Sequence, residues 1–423
     1  MMHAIDLTAL KAAALAGHQT LIDMTQALVR VDSQTPPSDT RKVADVAASF
    51  LADLPGLDLA LRPSDEPVMN LVARLPGGRP GPRLILSGHL DTYPIGDRAR
   101  WRTDPLGAEI IDNRLYGRGS ADMKGGVAAL LFLMRIFAEQ FPAFPGELVL
   151  ALAGDEESMG ELGTQRLIDT VPEVLGDAVL VADVGSPEII RCGEKGMIWI
   201  DVSAEGREAH GAHVHRGSNA IDRLATAIAT LKRLEEMPID LPNEVATTMA
   251  GAEAVSEPLG GLGERAVMSR ISVNVGRIEG GISPNLVPAH AVARLDIRLP
   301  LGTTVGIVEK EIERLLGDLD GIGWTITRRY EATWTPPAHP LVQACVQSAA
   351  DVLQRPVTAN MRVGASDARL WRRAGMPTIV CGLTPHNLGA PDEYLNIEEL
   401  AQIAAIHALT AARFLGGASV QED

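Results

Sequence analysis

Apolar side chains recur at two spacings along this chain, and the two alternate. Residues Leu21 to Val31 and Lys42 to Leu54 carry apolar positions every three or four residues. In the second stretch Val43, Val46, Ala47, Phe50, Leu51 and Leu54 share one face, which predicts an amphipathic helix. Thr35-Pro36-Pro37 breaks the chain between them. Asn70 to Leu75 reads as a strand, and the run Arg83 to Leu86, closed by Ser87-Gly88, reads as a buried strand ending at a turn. An apolar helix follows over Val127 to Phe137, then buried strands over Glu147 to Ala153 and from Val179 up to Asp183. Alternating helices and apolar strands predict an α/β layered domain.

After Glu194-Lys195-Gly196 the pattern changes. Met197 to Ala204 alternates like a half-exposed antiparallel strand. A helix is expected over Asn219 to Glu236, strands over Ser269 to Arg277 and Val292 to Leu299, a helix over Val305 to Leu316, and a strand near Trp324 to Arg329. Pro242 to Glu264, rich in small residues, Pro and Gly, is expected to be a long loop. From Thr335 the first texture returns. Helices are expected over Pro340 to Gln354, after Gly364-Ala365-Ser366-Asp367, and over Ile397 to Phe414, with a strand over Pro377 to Cys381. The expected organisation is a discontinuous α/β domain, residues 1–194 and 334–423, with an α+β domain, residues 195–333, inserted into it.

Composition narrows the partners. The chain has 423 residues, enough for two domains. A net charge of -16 argues against nucleic acid or an anionic membrane as partner. Cys192, Cys345 and Cys381 are too few and too dispersed for a disulfide framework or a Cys-rich zinc site, and a reducing cytoplasm is the expected home. Met1 to Gln19 shows no signal-peptide pattern, and the longest apolar run, Val127 to Met134, is too short to span a bilayer.

The candidate chemistry gathers where predicted strands end. His89 and Asp91 follow the strand closed by Ser87-Gly88, and Asp155-Glu156-Glu157 follow Ala153. Asp183 closes the next strand, and His386 follows the last. Asp122 lies in the Gly-rich stretch Gly117 to Gly126, ahead of a helix. Ligands bind at the carboxyl ends of strands in open α/β sheets. Consecutive acids repel one another and call for a nearby cation. The inventory suits two divalent metals bridged by a carboxylate, with mixed nitrogen and oxygen ligands. Neighbouring acids can also divide labour, one on a metal and one as a base. There is no Gly-x-Ser-x-Gly elbow and no P-loop.

Six motifs together resemble the M20 metallopeptidases and deacylases: Ser87 to Thr92, Gly117 to Gly126, Asp155-Glu156-Glu157, Gly206 to Ala220, Gly280 to Pro288 and Gly364 to Asp367. The resemblance implies a zinc-peptidase-like α/β/α catalytic domain with an inserted lid that dimerises. It implies that His89 and Asp183 hold one metal, Glu157 and His386 the other, and that Asp122 bridges them. Asp91 would orient His89, and Glu156 would be the general base for amide hydrolysis of a small N-acyl amino acid or peptide-like substrate. His210 would stabilise the oxyanion in a neighbouring subunit's site, and Asn285 and Arg298 would hold a substrate carboxylate. The expected cofactor is one or two divalent cations, Zn²⁺ first, with Co²⁺ or Mn²⁺ as alternatives. The expected assembly is a homodimer or a higher homo-oligomer. Two positions depart from the family pattern. Val214 replaces a frequent Pro and is flanked by His213 and His215, which are expected at the surface. His386 is separated from Asp392-Glu393 by the long spacer Asn387 to Pro391. The alternative is therefore a one-metal hydrolase on the same scaffold, releasing an amine from a non-peptide substrate such as an aryl amine.

Overall fold

In the computed structural model, which describes residues 5–416, the chain divides into two units. One comprises the chain up to Cys192, Trp334–Asn360, and the chain from Ser366 onward. The other comprises Gly193–Thr333 and Met361–Ala365.

The first unit is built on a mixed sheet. Seven of its nine strands lie in the order Asp58–Pro63, Met69–Pro76, Phe144–Ala153, Gly78–His89, Ala178–Val181, Thr378–Val380, Ile189–Glu194. Four neighbours in the middle, Phe144–Ala153, Gly78–His89, Ala178–Val181 and Thr378–Val380, run parallel. The first two strands and the last pair antiparallel to their neighbours. Parallel strands must be buried on both faces, which is why these four read as continuous apolar runs and not as alternating ones. The helices Gly125–Gln140 and Ile397–Leu415 cover one face, with Leu7–Ala16 and His18–Val29 outside them. The other face packs Ile85, Val149, Val179 and Val380 against Leu167 and Trp371 of the helices Thr164–Thr170 and Ala368–Arg373. The result is an α/β/α layering.

The second unit is a four-stranded antiparallel sheet in the order Ser272–Gly280, His290–Leu299, Gly196–Glu205, Ile322–Tyr330. Its core joins Ile198, Ile200 and Val202 of the sheet to Leu224 and Leu231 of Ala220–Leu231 and to Val308 and Ile312 of Val305–Leu316.

One expectation fails here. The stretch 242–264 is not a long loop: Asn243–Gly260 is a helix of 18 residues, followed by the short helix Glu264–Met268. Small residues misled the reading. Ala is the strongest helix former, and Val245, Met249, Ala252 and Ser256 recur on one buried face. Pro258 is tolerated close to the helix end, where it interrupts little.

Candidate metal centre

The four parallel strands deliver their carboxyl ends side by side. Asp155, Glu156 and Glu157 leave Phe144–Ala153, His89 closes Gly78–His89, Asp183 follows Ala178–Val181, and the segment bearing His386 follows Thr378–Val380. Adjacent strands lie about 4.8 Å apart, so side chains projecting from these ends meet.

His89 is 2% exposed. Its Nδ1 lies 2.9 Å from the backbone oxygen of Asp91 and 3.6 Å from the Asp91 carboxylate. A ring nitrogen facing a carbonyl carries the proton, which leaves the lone pair on Nε2. That Nε2 lies 3.1 Å from Oδ1 of Asp122. Two lone-pair atoms at that distance need a proton or a cation between them. Ligand atoms of His89, Asp122 and Asp183 lie within 4.8 Å of one another, and so do those of His89, Glu156 and Glu157.

Asp91 is fully buried, and its carboxylate has partners besides His89. It accepts Thr35 Oγ1 at 2.8 Å and the backbone N–H groups of Glu156 and Glu157 at 3.1 Å each. Asp91 thus ties the acidic turn to the end of the histidine strand. His89 is oriented by the Asp91 backbone oxygen more closely than by its carboxylate.

Burial dominates the electrostatics of the acidic turn. Burial, with the charges of Asp122 and Glu156, pushes the Glu157 carboxyl up to about 11. Burial also raises Glu156 well above the usual carboxylate range. Burial alone would lower His89, but the hydrogen bond and charge of Asp122 outweigh it and the ring is held well above its ordinary value. The charge of Glu157, with burial, raises the Tyr93 phenol to about 12. Oε1 of Glu157 is buried with no hydrogen-bond partner. Buried carboxylates grouped around an imidazole form a donor set suited to a divalent cation.

His386 belongs to neither group. Its ring stacks flat on Tyr394, centroids 4.5 Å apart and planes 2° apart, and Arg114 lies over the Tyr394 ring. The long spacer forms a loop with Asn387 and Asp392 at positive φ. In the second unit His210 is exposed, in a short ladder pairing Ala209–His210 with Leu286–Val287. Gly211 donates its N–H to the Asn285 oxygen at 2.7 Å, so Asn285 adjoins His210. Nε of Arg298 donates to both oxygens of Asp296 at 2.9 and 3.0 Å, and its buried Nη1 has no partner. His213 and His215 lie in the exposed turn Gly211–Arg216.

Residues 85–413 match the sequence profile of peptidase family M20/M25/M40. The chain belongs to that family. Its members among the relatives are metal-dependent hydrolases. A succinyl-diaminopimelate desuccinylase of Rhodospirillum centenum is 32% identical over 368 residues, covering 84% of this chain and 87% of its own. That of Methylobacterium nodulans is 30% identical over 421 residues, covering 94% and 97%. Among solved structures, the M20 family metallo-carboxypeptidase Sso-CP2 from Sulfolobus solfataricus aligns with a TM-score of 0.77 at 19% identity, over 94% of this chain and 98% of its own. The di-peptidase Dug1p from Saccharomyces cerevisiae aligns with a TM-score of 0.74 at 14% identity, over 97% and 99%. The M20 fold is thus shared across most of the chain.

Three residues of this M20 chain escaped sequence reasoning. Thr35 was legible only as part of a Pro-Pro breaker, yet it bonds Asp91. Arg118 and Glu393 form a buried ion pair at 2.5 Å across 275 positions. Only the charge of Glu393 next to Asp392 hinted at a role. Among the described residues, no helix is long and apolar enough to cross a membrane.

Proposed function

We propose that the protein hydrolyses the amide bond of a small N-acyl amino acid or peptide-like substrate, with Glu156 as general base. The observation that carries this reading is that His89 belongs to two groups of close ligand atoms, one with Asp122 and Asp183 and one with Glu156 and Glu157. His89, Asp122 and Asp183 would hold one divalent cation, Zn²⁺ or in its place Co²⁺ or Mn²⁺. By resemblance, Glu157 and His386 would hold a second, with Asp122 serving both. A cation so held supplies Lewis acidity that acidifies water and polarises a carbonyl. Glu156 accepts the proton of the attacking water and returns it to the departing amine nitrogen. Asp91 holds both acids in place through their backbone amides.

His210 of a second copy donates to the developing oxyanion. Its tautomer supports this role: Nδ1 accepts the N–H of Ala212 at 3.2 Å, which leaves the proton on Nε2. Asn285 and Arg298 receive the substrate carboxylate. The desuccinylase relatives make an N-succinyl diamino acid the first substrate to assay.

Glu156→Gln should lower kcat by roughly 10²- to 10⁴-fold while the bound metal per chain stays unchanged. A variant with near-normal turnover would refute the assignment. A one-metal hydrolase of a non-peptide amine remains a second reading, favoured by the stacking of His386 on Tyr394 outside both ligand groups. Metal analysis separates the two readings: two equivalents per chain, one of them lost in His386→Ala, eliminates the one-metal enzyme.

A further inference from the structure

We propose that Glu393 is a positioning residue for the metal centre, holding the loop that presents Asp122 in the shape metal binding requires. The inference rests on Asp122 being a ligand, as proposed above.

Glu393 is 1% exposed, and its carboxylate is saturated by a single loop. Oε1 accepts the backbone N–H groups of Ala121 at 3.1 Å and Asp122 at 3.2 Å. Oε2 accepts Nη1 of Arg118 at 2.5 Å and the N–H of Gly119 at 3.1 Å. The Glu393 backbone oxygen also accepts the N–H of Gly117 at 2.9 Å. Arg118, itself 1% exposed, reaches the Ala390 oxygen with Nη2 at 3.2 Å and lies over the Trp101 ring.

Four donors occupy the four lone-pair directions of one carboxylate. Glu393 therefore has no electron pair left for a metal, and its function is structural toward Asp122. The loop needs such a partner. Gly119 sits at φ 77°, and the turn points three backbone amides inward. Each would be a buried orphan at a cost of about 1–3 kcal/mol without an acceptor. One of the three is the amide of Asp122 itself, so Glu393 fixes the position from which the Asp122 carboxylate reaches to 3.1 Å from His89 Nε2. The same segment carries His386 seven residues earlier. Two candidate ligands that are distant in sequence are thereby tied to one anchor. Partners that orient metal ligands in this way govern metal affinity although they never touch the ion.

Glu393→Gln tests the assignment. The amide keeps the shape but turns an NH₂ group toward two of the four donors. The readout is Zn²⁺ affinity of the metal-stripped full-length chain, by competition with a chromophoric chelator, at a temperature where circular dichroism shows the variant folded. Glu393→Gln should weaken Zn²⁺ binding about ten- to a hundredfold relative to wild type. Arg118→Lys, which replaces the two-pronged guanidinium donor by a single ammonium and keeps the charge, should weaken it less and covers the case in which Glu393→Gln does not fold. A role confined to packing would lower the melting temperature of the stripped protein and leave the affinity of the folded protein alone. Affinity within threefold of wild type in every folded variant therefore overturns the proposal. A wild-type chain that binds no divalent metal overturns instead the assignment of Asp122 on which the proposal stands.

Discussion

Asp91 shows how one side chain can organise a site through several partners at once. The resemblance made Asp91 the residue that would orient His89. In the structure the strand ends at His89, and the Asp91 carboxylate turns to Thr35 and to the amides of Glu156 and Glu157. Asp91→Asn should therefore misplace the acidic turn. Replacing one acceptor oxygen by a donor facing an N–H should cost about 1.5–3 kcal/mol of stability, as for a hydrogen bond to a charged group, and should lower kcat more than it changes KM. Thr35→Val removes a single hydroxyl and should cost about 1 kcal/mol. Chemical denaturation and steady-state kinetics on both variants check this. The candidate ligands were legible because acids and histidines at strand ends stand out against apolar runs. Thr35, Arg118 and Glu393 were not, since their roles depend on contacts 56 and 275 positions away.

At the scale of elements, the site depends on helices that approach strand ends without side chains in between. Gly126, at the start of Gly125–Gln140, is the clearest case: a Cβ there would lie 2.2 Å from the Ala182 backbone oxygen, next to Asp183. Gly126→Ala should push that strand end away and cost about 1–3 kcal/mol, as overpacking does, with a parallel loss of bound metal. Thermal melts and metal analysis on the same preparation read both. Most elements could be read from periodicity, because an amphipathic helix and a doubly buried strand leave different patterns. The helix Asn243–Gly260 could not. Its buried face is made of Val, Met, Ala and Ser, whose contrast with the exposed face is slight. Register and sheet order also lay beyond the sequence, since the continuous apolar runs of parallel strands do not state which neighbour each one takes.

For the whole molecule, stability should respond to metal and to pH separately. A cation that binds only the folded chain adds about 4 kcal/mol at a thousandfold excess over its Kd. Chelation should therefore lower the calorimetric transition of the unit that contains His89. His407 supplies the pH term. It is fully buried in Ile397–Leu415, and burial lowers its pKa to about 4, against the partial support of the Cys381 oxygen at 2.7 Å. Between pH 6.5 and 4 the unfolded chain holds a proton that the native chain refuses. Stability is thus retained above pH 6.5 and falls as the pH drops toward 4, by up to about 3 kcal/mol. His407→Gln should flatten that slope in chelator-treated protein, as followed by melts across the range. An unchanged slope would assign the acid sensitivity to other groups.

The position of Thr378–Val380 has a consequence for how the protein is made. This strand lies between Ala178–Val181 and Ile189–Glu194, so a piece synthesised late fills a gap between two that left the ribosome some 200 residues earlier. Until it arrives, Ala178–Val181 has an open edge of unpaired backbone groups, the kind that recruits other strands. The intervening residues 193–333 hold nearly all of their own unit and can fold on emergence. The sheet bearing His89 and Asp183 must wait for almost the whole chain. Shortened or stalled nascent chains should then expose a sticky half-sheet beside a finished second unit, and would be natural clients for chaperones that shield strand edges.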